Sequence, residues 1–188
     1  YFLTGTDEHG VKIYEKAQES NLPVSEFVDK NAAVFHALKD LLHLSYDDFI
    51  RTSEERHKRG AQKIWRKMVE AGDIYKANYS GKYCVGCEAF ILDKDLDENG
   101  NCPIHLKPPV LISEENYFFR LSKYSDRIKE LISSDEVKVL PANRKKEMLN
   151  IIGEEGLLDV SFSRPKEALP WGVDVPDDDE QVMYVWCD

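Results

Sequence analysis

Residues 1–10 have the sequence YFLTGTDEHG, in which an apolar start leads to two carboxylates, an imidazole and a glycine. The apolar part predicts a buried β-strand, and the polar part predicts a loop at the carboxyl end of that strand. Ligands bind at this edge of open α/β sheets. A carboxylate here can hold a ligand ammonium group, although a capped turn into a helix fits the same residues.

The chain after this loop has the pattern of an α/β fold. Apolar residues at helical spacing predict two helices within residues 11–42, and Phe49–Arg51 predicts a short strand. Thr52 and Glu55 form a capping-box pattern for a third helix, which Gly72 ends. Strand, helix, helix, strand and helix in this order are typical of a domain with parallel strands.

A different pattern begins near Tyr75. From there to about Leu121 the sequence predicts short strands and turns, followed by helices near Lys123–Ile132 and Ala142–Ile152.

Strand character returns at residues 157–162 and 183–186. We therefore expect an α/β domain in residues 1–74 and 157–188, interrupted by an insertion in residues 75–156.

The composition is that of a folded globular protein. Hydrophobic residues make up 42% of the 188 residues, and 25 Lys+Arg against 35 Asp+Glu give a net charge of −10. This acidity argues against a protein whose main task is to coat nucleic acid. The acidic run at residues 177–180 is predicted to be a solvated turn. Without a membrane-spanning run or a signal peptide, the sequence favours a cytoplasmic protein.

Both ends of the sequence are apolar and strand-like, whereas natural termini are usually polar and frayed. We therefore expect an internal segment of a longer polypeptide, with parts of any active site outside these residues.

Three of the four cysteines lie close together in the sequence, and a histidine follows them at a spacing typical of metal ligands. Cys84 and Cys87 are followed after 14 residues by Cys102 and His105. Two pairs of soft donors, each separated by two residues, complete a tetrahedron around Zn²⁺, and four protein ligands leave no open position. We predict a structural zinc site; free thiols with an unrelated histidine, or a redox Cys-x-x-Cys, are the alternatives.

Seven motifs, in this order and spread over nearly the whole chain, resemble those of the methionyl-tRNA synthetase family, which are class I aminoacyl-tRNA synthetases. They are TGTDEHG (4–10), DFIRT (48–52), GKYCVGCE (81–88), ENYFF (115–119), SFSRP (161–165), WGVDVP (171–176) and YVWCD (184–188).

The resemblance implies a Rossmann-type catalytic domain with a parallel sheet, interrupted by a connective-peptide insertion that carries the zinc. It implies methionine and ATP with Mg²⁺ as substrates, which form methionyl-adenylate, and tRNA(Met) as the acceptor of the methionyl group. No membrane is implied as a partner.

The resemblance also implies roles for four residues. Asp7 would bind the α-ammonium of methionine, and Trp186 would form part of the methionine pocket. Arg164 would lie near the same site, balance Asp7 and support the charge that develops during adenylate formation. His9 would line the nucleotide side. The alternatives are core packing for Trp186 and a surface arginine at position 164.

The family's His-Ile-Gly-His-type and Lys-Met-Ser-Lys-Ser-type signatures do not occur in these 188 residues. We therefore expect the segment to be inactive alone.

Two other interpretations remain open: another class I synthetase, or a non-enzymatic zinc module that recognises RNA. The second would use a basic cluster that consists of Arg51, Arg56, Lys58, Arg59, Lys63, Arg66 and Lys67.

Overall fold

A computed structural model describes residues 1–188 and confirms a mixed α/β fold with a parallel pair of strands. Strand β1 (Leu3–Thr6) pairs in parallel with β2 (Asp48–Arg51), from Leu3 opposite Asp48 to Thr6 opposite Arg51. Helices α1 (Val11–Glu19) and α2 (Val24–Leu41) form the crossover between the two strands. The loop at residues 7–10 therefore lies at the carboxyl end of a parallel strand, as predicted.

The expected burial of the first strand is wrong at its beginning. Tyr1 is 93% exposed and Leu3 is 47% exposed. The physical reason is that this sheet has only two strands in residues 1–188, so few elements cover the faces to which the side chains of β1 point.

Helix α3 (Glu55–Glu70) forms where it was predicted, but the capping box is wrong. The helix begins after Glu54, and no side chain caps it. The hydroxyl of Thr52 instead accepts the backbone N–H of Glu8 at 2.9 Å. A contact with the loop after β1 thus replaces the local cap.

An antiparallel sheet of four strands follows. Two of its strands are long rather than short as predicted, and they pair in register from Ile74 opposite Phe119 to Tyr83 opposite Val110. The strands of this sheet are β3 (Ile74–Cys84), β4 (Ala89–Ile91), β5 (Val110–Phe119) and β6 (Val160–Ser161). They lie side by side in the order β4-β3-β5-β6.

Helices α4 (Ser125–Ser133) and α5 (Ala142–Ile152) lie between β5 and β6, close to their predicted positions. Strand β7 (Ser163–Pro165) then pairs antiparallel with β8 (Gln181–Met183). The predicted final strand is wrong beyond Met183, because residues 184–187 form a turn. In this turn the backbone N–H of Cys187 donates to the carbonyl of Tyr184.

The acidic run at residues 177–180 is not simply a solvated turn. Asp178 accepts hydrogen bonds from Nζ of Lys76 at 2.9 Å and from the hydroxyl of Tyr117 at 3.0 Å. Its carboxylate therefore attaches the turn to strands β3 and β5.

The core joins α3 to the chain around β8. Trp65 packs with Val173, Val175 and Met183, and its ring meets Tyr117 edge-on at 5.5 Å. Helix α3, which precedes the long strands β3 and β5 in the sequence, and strand β8, which follows them, thus share one core. None of the helices combines the length and apolar character that crossing a bilayer requires.

Candidate functional site

Asp7 is the carboxylate that the loop after β1 leaves without a basic partner. Its neighbours Glu8 and His9 form the ion pairs of this loop. Partial burial of its carboxyl and the charge of nearby Asp188 raise the pKa of Asp7. A cationic ligand group would relieve both effects, so Asp7 is suited to bind an ammonium group.

Glu8, the other carboxylate of the loop, attaches the loop to β2. It is buried and accepts hydrogen bonds from Nε and Nη2 of Arg51 at 2.7 and 3.0 Å. The hydroxyls of Thr6 and Ser53 also donate to it. Burial alone would raise the pKa of Glu8, but these donors outweigh it and lower the pKa. The two carboxylates, which looked equivalent in the sequence, therefore have different roles.

Arg51→Met is expected to lower the free energy of unfolding at pH 7 by about 3 kcal/mol, because Glu8 would stay buried without its partner. The pKa of Glu8 is lowered in the folded protein, so its contribution is complete above the ordinary value of 4.5 and is lost as the pH falls through the folded value. Denaturant unfolding at pH 7 and at pH 4 measures both effects.

The matched control is Arg144→Met, which removes an exposed ion pair with Glu147 in the same helix. This control is expected to cost less than about 0.5 kcal/mol. Equal stability of the two variants would contradict the role of the pair between Arg51 and Glu8.

His9 is buried. Its Nδ1 contacts the carboxyl of Asp188, and its ring meets Trp171 edge-on at 5.6 Å. Its Nε2 is buried without a hydrogen-bond partner. The structure therefore shows that His9 connects the loop of Asp7 to the chain just after Trp186, and its nucleotide contact stays a prediction.

Trp186 lies on the wall of a cavity of about 520 Å³ that is lined mainly by apolar and aromatic side chains, including Tyr79, Phe90 and Tyr184. It is 71% exposed, so the alternative of core packing is wrong. Its indole N–H donates to the backbone oxygen of Glu88 at 3.2 Å. An aromatic wall of this kind can pack against a thioether.

Glu88 is a site residue that the sequence did not single out. Its carboxylate accepts the backbone N–H of Lys12 at 3.0 Å, in the first turn of α1. Burial and the charge of nearby Asp7 raise its pKa. Because Trp186 donates to its backbone, Glu88 lies between the two residues predicted to bind methionine. The only sequence signal was its place at the end of the GKYCVGCE motif.

Arg164 lies on β7 and is only 3% exposed, so the alternative of a surface arginine is wrong. Its ion-pair partner is Glu114, with 3.4 Å between Nε and Oε2. The guanidinium lies over the ring of Tyr83 at 4.4 Å. The expected balance with Asp7 is not a direct ion pair, because strand β5 supplies the carboxylate that meets Arg164.

The four predicted metal ligands come together. The sulfur atoms of Cys84, Cys87 and Cys102 and a ring nitrogen of His105 lie within 4.8 Å of one another. Nδ1 of His105 is 3.2 to 3.8 Å from the three sulfur atoms. Tetrahedral Zn²⁺ would place sulfur and nitrogen ligands about 3.5 Å apart, so this donor set fits zinc.

The local chain explains this arrangement. A Cβ at Gly86 would lie 2.4 Å from the ring of His105, so only glycine lets the ring pack there. The fourth cysteine, Cys187, is outside the cluster.

The basic cluster considered for RNA binding is partly neutralised. Arg51 pairs with Glu8, Arg56 with Asp48, and Lys58 with Glu55. These ion pairs reduce the positive charge that the cluster could offer to phosphates.

Known proteins resemble the chain over its whole length. A family model described as tRNA synthetases class I (M) matches residues 1–109 and 94–188. Methionine–tRNA ligases from Brucella suis biovar 1 and Clostridium tetani are 41% and 43% identical over the whole chain. The chain spans 36% and 29% of the lengths of these two relatives.

Solved structures give the same result. The methionyl-tRNA synthetase of Mycobacterium tuberculosis bound by methionyl-adenylate superposes with a TM-score of 0.91 at 36% identity, over 99% of this chain and 37% of that chain. The free form of the M. tuberculosis enzyme gives a TM-score of 0.76 at 28% identity, over 100% of this chain and 43% of that chain. The chain therefore belongs to the methionyl-tRNA synthetase family of class I aminoacyl-tRNA synthetases.

Proposed function

We propose that this chain is the methionine-binding segment of a methionine–tRNA ligase, which activates methionine with ATP and transfers it to tRNA(Met). The observation that carries the proposal is the position of Asp7. It lies at the carboxyl end of a parallel strand without an ion-pair partner and lines a cavity of about 220 Å³ beside the one that contains Trp186. Glu88 packs against Gly10 of the same loop, and its backbone oxygen accepts the indole N–H of Trp186. The site thus offers an anion for the ammonium group and an apolar wall for the thioether.

In this proposal Asp7 holds the α-ammonium and Trp186 packs against the methionine side chain. The methionine carboxylate then attacks the α-phosphate of ATP in line. A bond forms between the carboxylate oxygen and the α-phosphorus, and the bond to the bridging oxygen of the β-phosphate breaks and releases pyrophosphate with Mg²⁺. Arg164 donates N–H groups to the developing negative charge. The protein contributes positioning and charge stabilisation, and no nucleophilic side chain is needed.

Zinc is part of the proposal as a structural ion held by Cys84, Cys87, Cys102 and His105. Four ligands leave no position for water or substrate, so the ion would fix the turn between β3 and β4 that carries Glu88. The connective-peptide insertion would span residues 75–156, which contain strands β4 and β5 and nearly all of β3, whereas β6 belongs to the returning part of the chain.

The remaining parts of the proposal concern the whole enzyme. ATP and tRNA contacts would come largely from chain outside these residues, so the isolated segment is expected to be inactive. The proposal includes a cytoplasmic location for the full-length enzyme.

The experiment is amino-acid-dependent exchange between ATP and pyrophosphate by the full-length protein, with methionine, isoleucine, valine, leucine and cysteine compared. Methionine alone is expected to support exchange, and the isolated segment is expected to give none. Exchange with another of these amino acids would favour a different class I synthetase. Strongly salt-dependent RNA binding by the segment, with no exchange by the full-length protein, would favour the RNA module.

A further inference from the structure

Arg164 is held in place by an aromatic ring rather than by hydrogen bonds. Its guanidinium lies 4.4 Å from the centre of the Tyr83 ring, and both side chains are almost fully buried. Its Nε and Nη1 atoms are buried without a hydrogen-bond partner. Buried donors without partners are rare and call for an explanation.

Stacking on a ring fixes a guanidinium and leaves its N–H groups free, because these groups point outward in the plane of the cation. Glu114 lies 3.4 Å from Nε and supplies a compensating charge without a hydrogen bond. The arrangement thus orients Arg164 and keeps its donors available for an anion.

The backbone beside Arg164 is fixed as well. The hydroxyl of Ser163 accepts the N–H of Tyr117 at 2.8 Å and donates to Oε1 of Gln181 at 2.6 Å. Nε2 of Gln181 donates to the carbonyl of Glu115 at 2.9 Å. These buried bonds tie β7 and β8 to β5, so the ring of Tyr83 meets Arg164 on a rigid support.

Tyr83 contacts a residue that lines the cavity that contains Trp186. Its hydroxyl is 3.4 Å from the hydroxyl of Tyr184, and Tyr184 lines the cavity. The antiparallel sheet therefore approaches the candidate methionine site through Tyr83 of β3.

We infer that Tyr83 is a positioning residue for adenylate formation: its ring holds Arg164 so that the free N–H groups meet the anionic reacting centre, a carboxylate or a phosphate. This inference rests on the proposed function. Tyr83 contacts Arg164, is almost fully buried and does not line the cavity of Trp186, so its effect is expected to pass through Arg164.

The test is a double-mutant cycle in the full-length enzyme, measured as single-turnover formation of methionyl-adenylate. Tyr83→Leu is expected to slow adenylate formation by about 10- to 30-fold, as expected for a desolvated cation–π contact. The KM for methionine, measured separately by pyrophosphate exchange, is expected to be unchanged. Tyr83→Phe keeps the ring and is expected to stay within about twofold of wild type. In an Arg164→Ala background, Tyr83→Leu is expected to cost less than about threefold.

Two outcomes would overturn the inference: an equal loss from Tyr83→Leu in both backgrounds, or an equal loss from Tyr83→Phe and Tyr83→Leu. Zinc content and the unfolding midpoint are measured for each variant, because Tyr83 precedes the ligand Cys84. If leucine lowers either one, Tyr83→Met fills the space without a ring and replaces it in the cycle. A wild-type enzyme without methionine-dependent exchange would instead refute the proposed function.

Discussion

Asp7→Asn in the full-length enzyme is expected to weaken methionine binding by about 100-fold and to leave ATP binding unchanged. Removing one partner of a desolvated charge pair costs about 2–5 kcal/mol, and each 1.4 kcal/mol is tenfold. The lower part of this range applies because the side chain of Asp7 is exposed, which weakens a charge pair. The KM values for methionine and ATP in pyrophosphate exchange measure the effect.

The same role predicts a pH dependence. Burial and the charge of Asp188 raise the pKa of Asp7, and only the ionised carboxylate attracts an ammonium group. Methionine affinity is therefore expected to fall on acidification at a higher pH than the ordinary aspartate value of 3.8 would give.

The matched control for Asp7→Asn is Asp179→Asn, an exposed carboxylate in the acidic turn between β7 and β8. It removes the same charge and is expected to leave the KM for methionine within about twofold, because exposed charges at a distance are screened. Equal effects of the two variants would show that net charge, and not a contact with methionine, sets the affinity.

Cys102→Ser is expected to abolish zinc retention, from about one zinc per chain to less than about 0.2. Cys102 is fully buried and contributes one of the four ligand atoms. Structural zinc contributes about 10–16 kcal/mol of binding free energy in small domains, so its loss is also expected to unfold the turn around Glu88. Elemental analysis measures the metal, and limited proteolysis detects the unfolded turn.

Cys187→Ser is the control for the zinc prediction, because Cys187 lies outside the cluster. It is expected to retain its zinc in full. A wild-type protein that is folded without metal, or a Cys102→Ser variant that keeps its zinc, would contradict the assignment.

The parts of the fold that depend on local pattern could be predicted from the sequence. Helices α4 and α5 were predicted within a few residues, because their apolar spacing is regular. The metal cluster was predicted from ligand spacing alone, because two short loops with soft donors have few other ways to satisfy those donors.

The failures depend on contacts between distant residues. The hydroxyl of Thr52 binds the N–H of Glu8 instead of capping α3, and no local pattern contains that partner. The chain from Tyr75 onward was predicted to form short strands and turns, yet Ile74–Cys84 is one long strand, in which Gly81 gives its space to the ring of Tyr79. The strand predicted at residues 183–186 does not continue beyond Met183, where the chain turns.

The candidate site could be predicted only in part, for the same reason. The strand pattern drew attention to the two carboxylates of this loop, and the family resemblance singled out Asp7. The difference between Asp7 and Glu8 depends on Arg51, which lies 43 residues beyond Glu8. Glu88 was missed because its role arises from meeting α1 and Trp186 in space. The contact between Arg164 and the ring of Tyr83 could not be predicted, because the two residues belong to different motifs, SFSRP and GKYCVGCE, and neither motif indicates that they meet.

Calorimetric binding of methionine and of its analogue without the amino group, 4-(methylthio)butanoate, tests directly whether Asp7 recognises the ammonium group. The full-length wild-type enzyme is expected to bind methionine about 100-fold more tightly than the analogue, as the charge pair predicts. Asp7→Asn is expected to bind the two ligands within about threefold of each other, because the discriminating carboxylate is gone. A preference for methionine that stays near 100-fold in Asp7→Asn would contradict the assignment of Asp7 and, with it, the proposed methionine site.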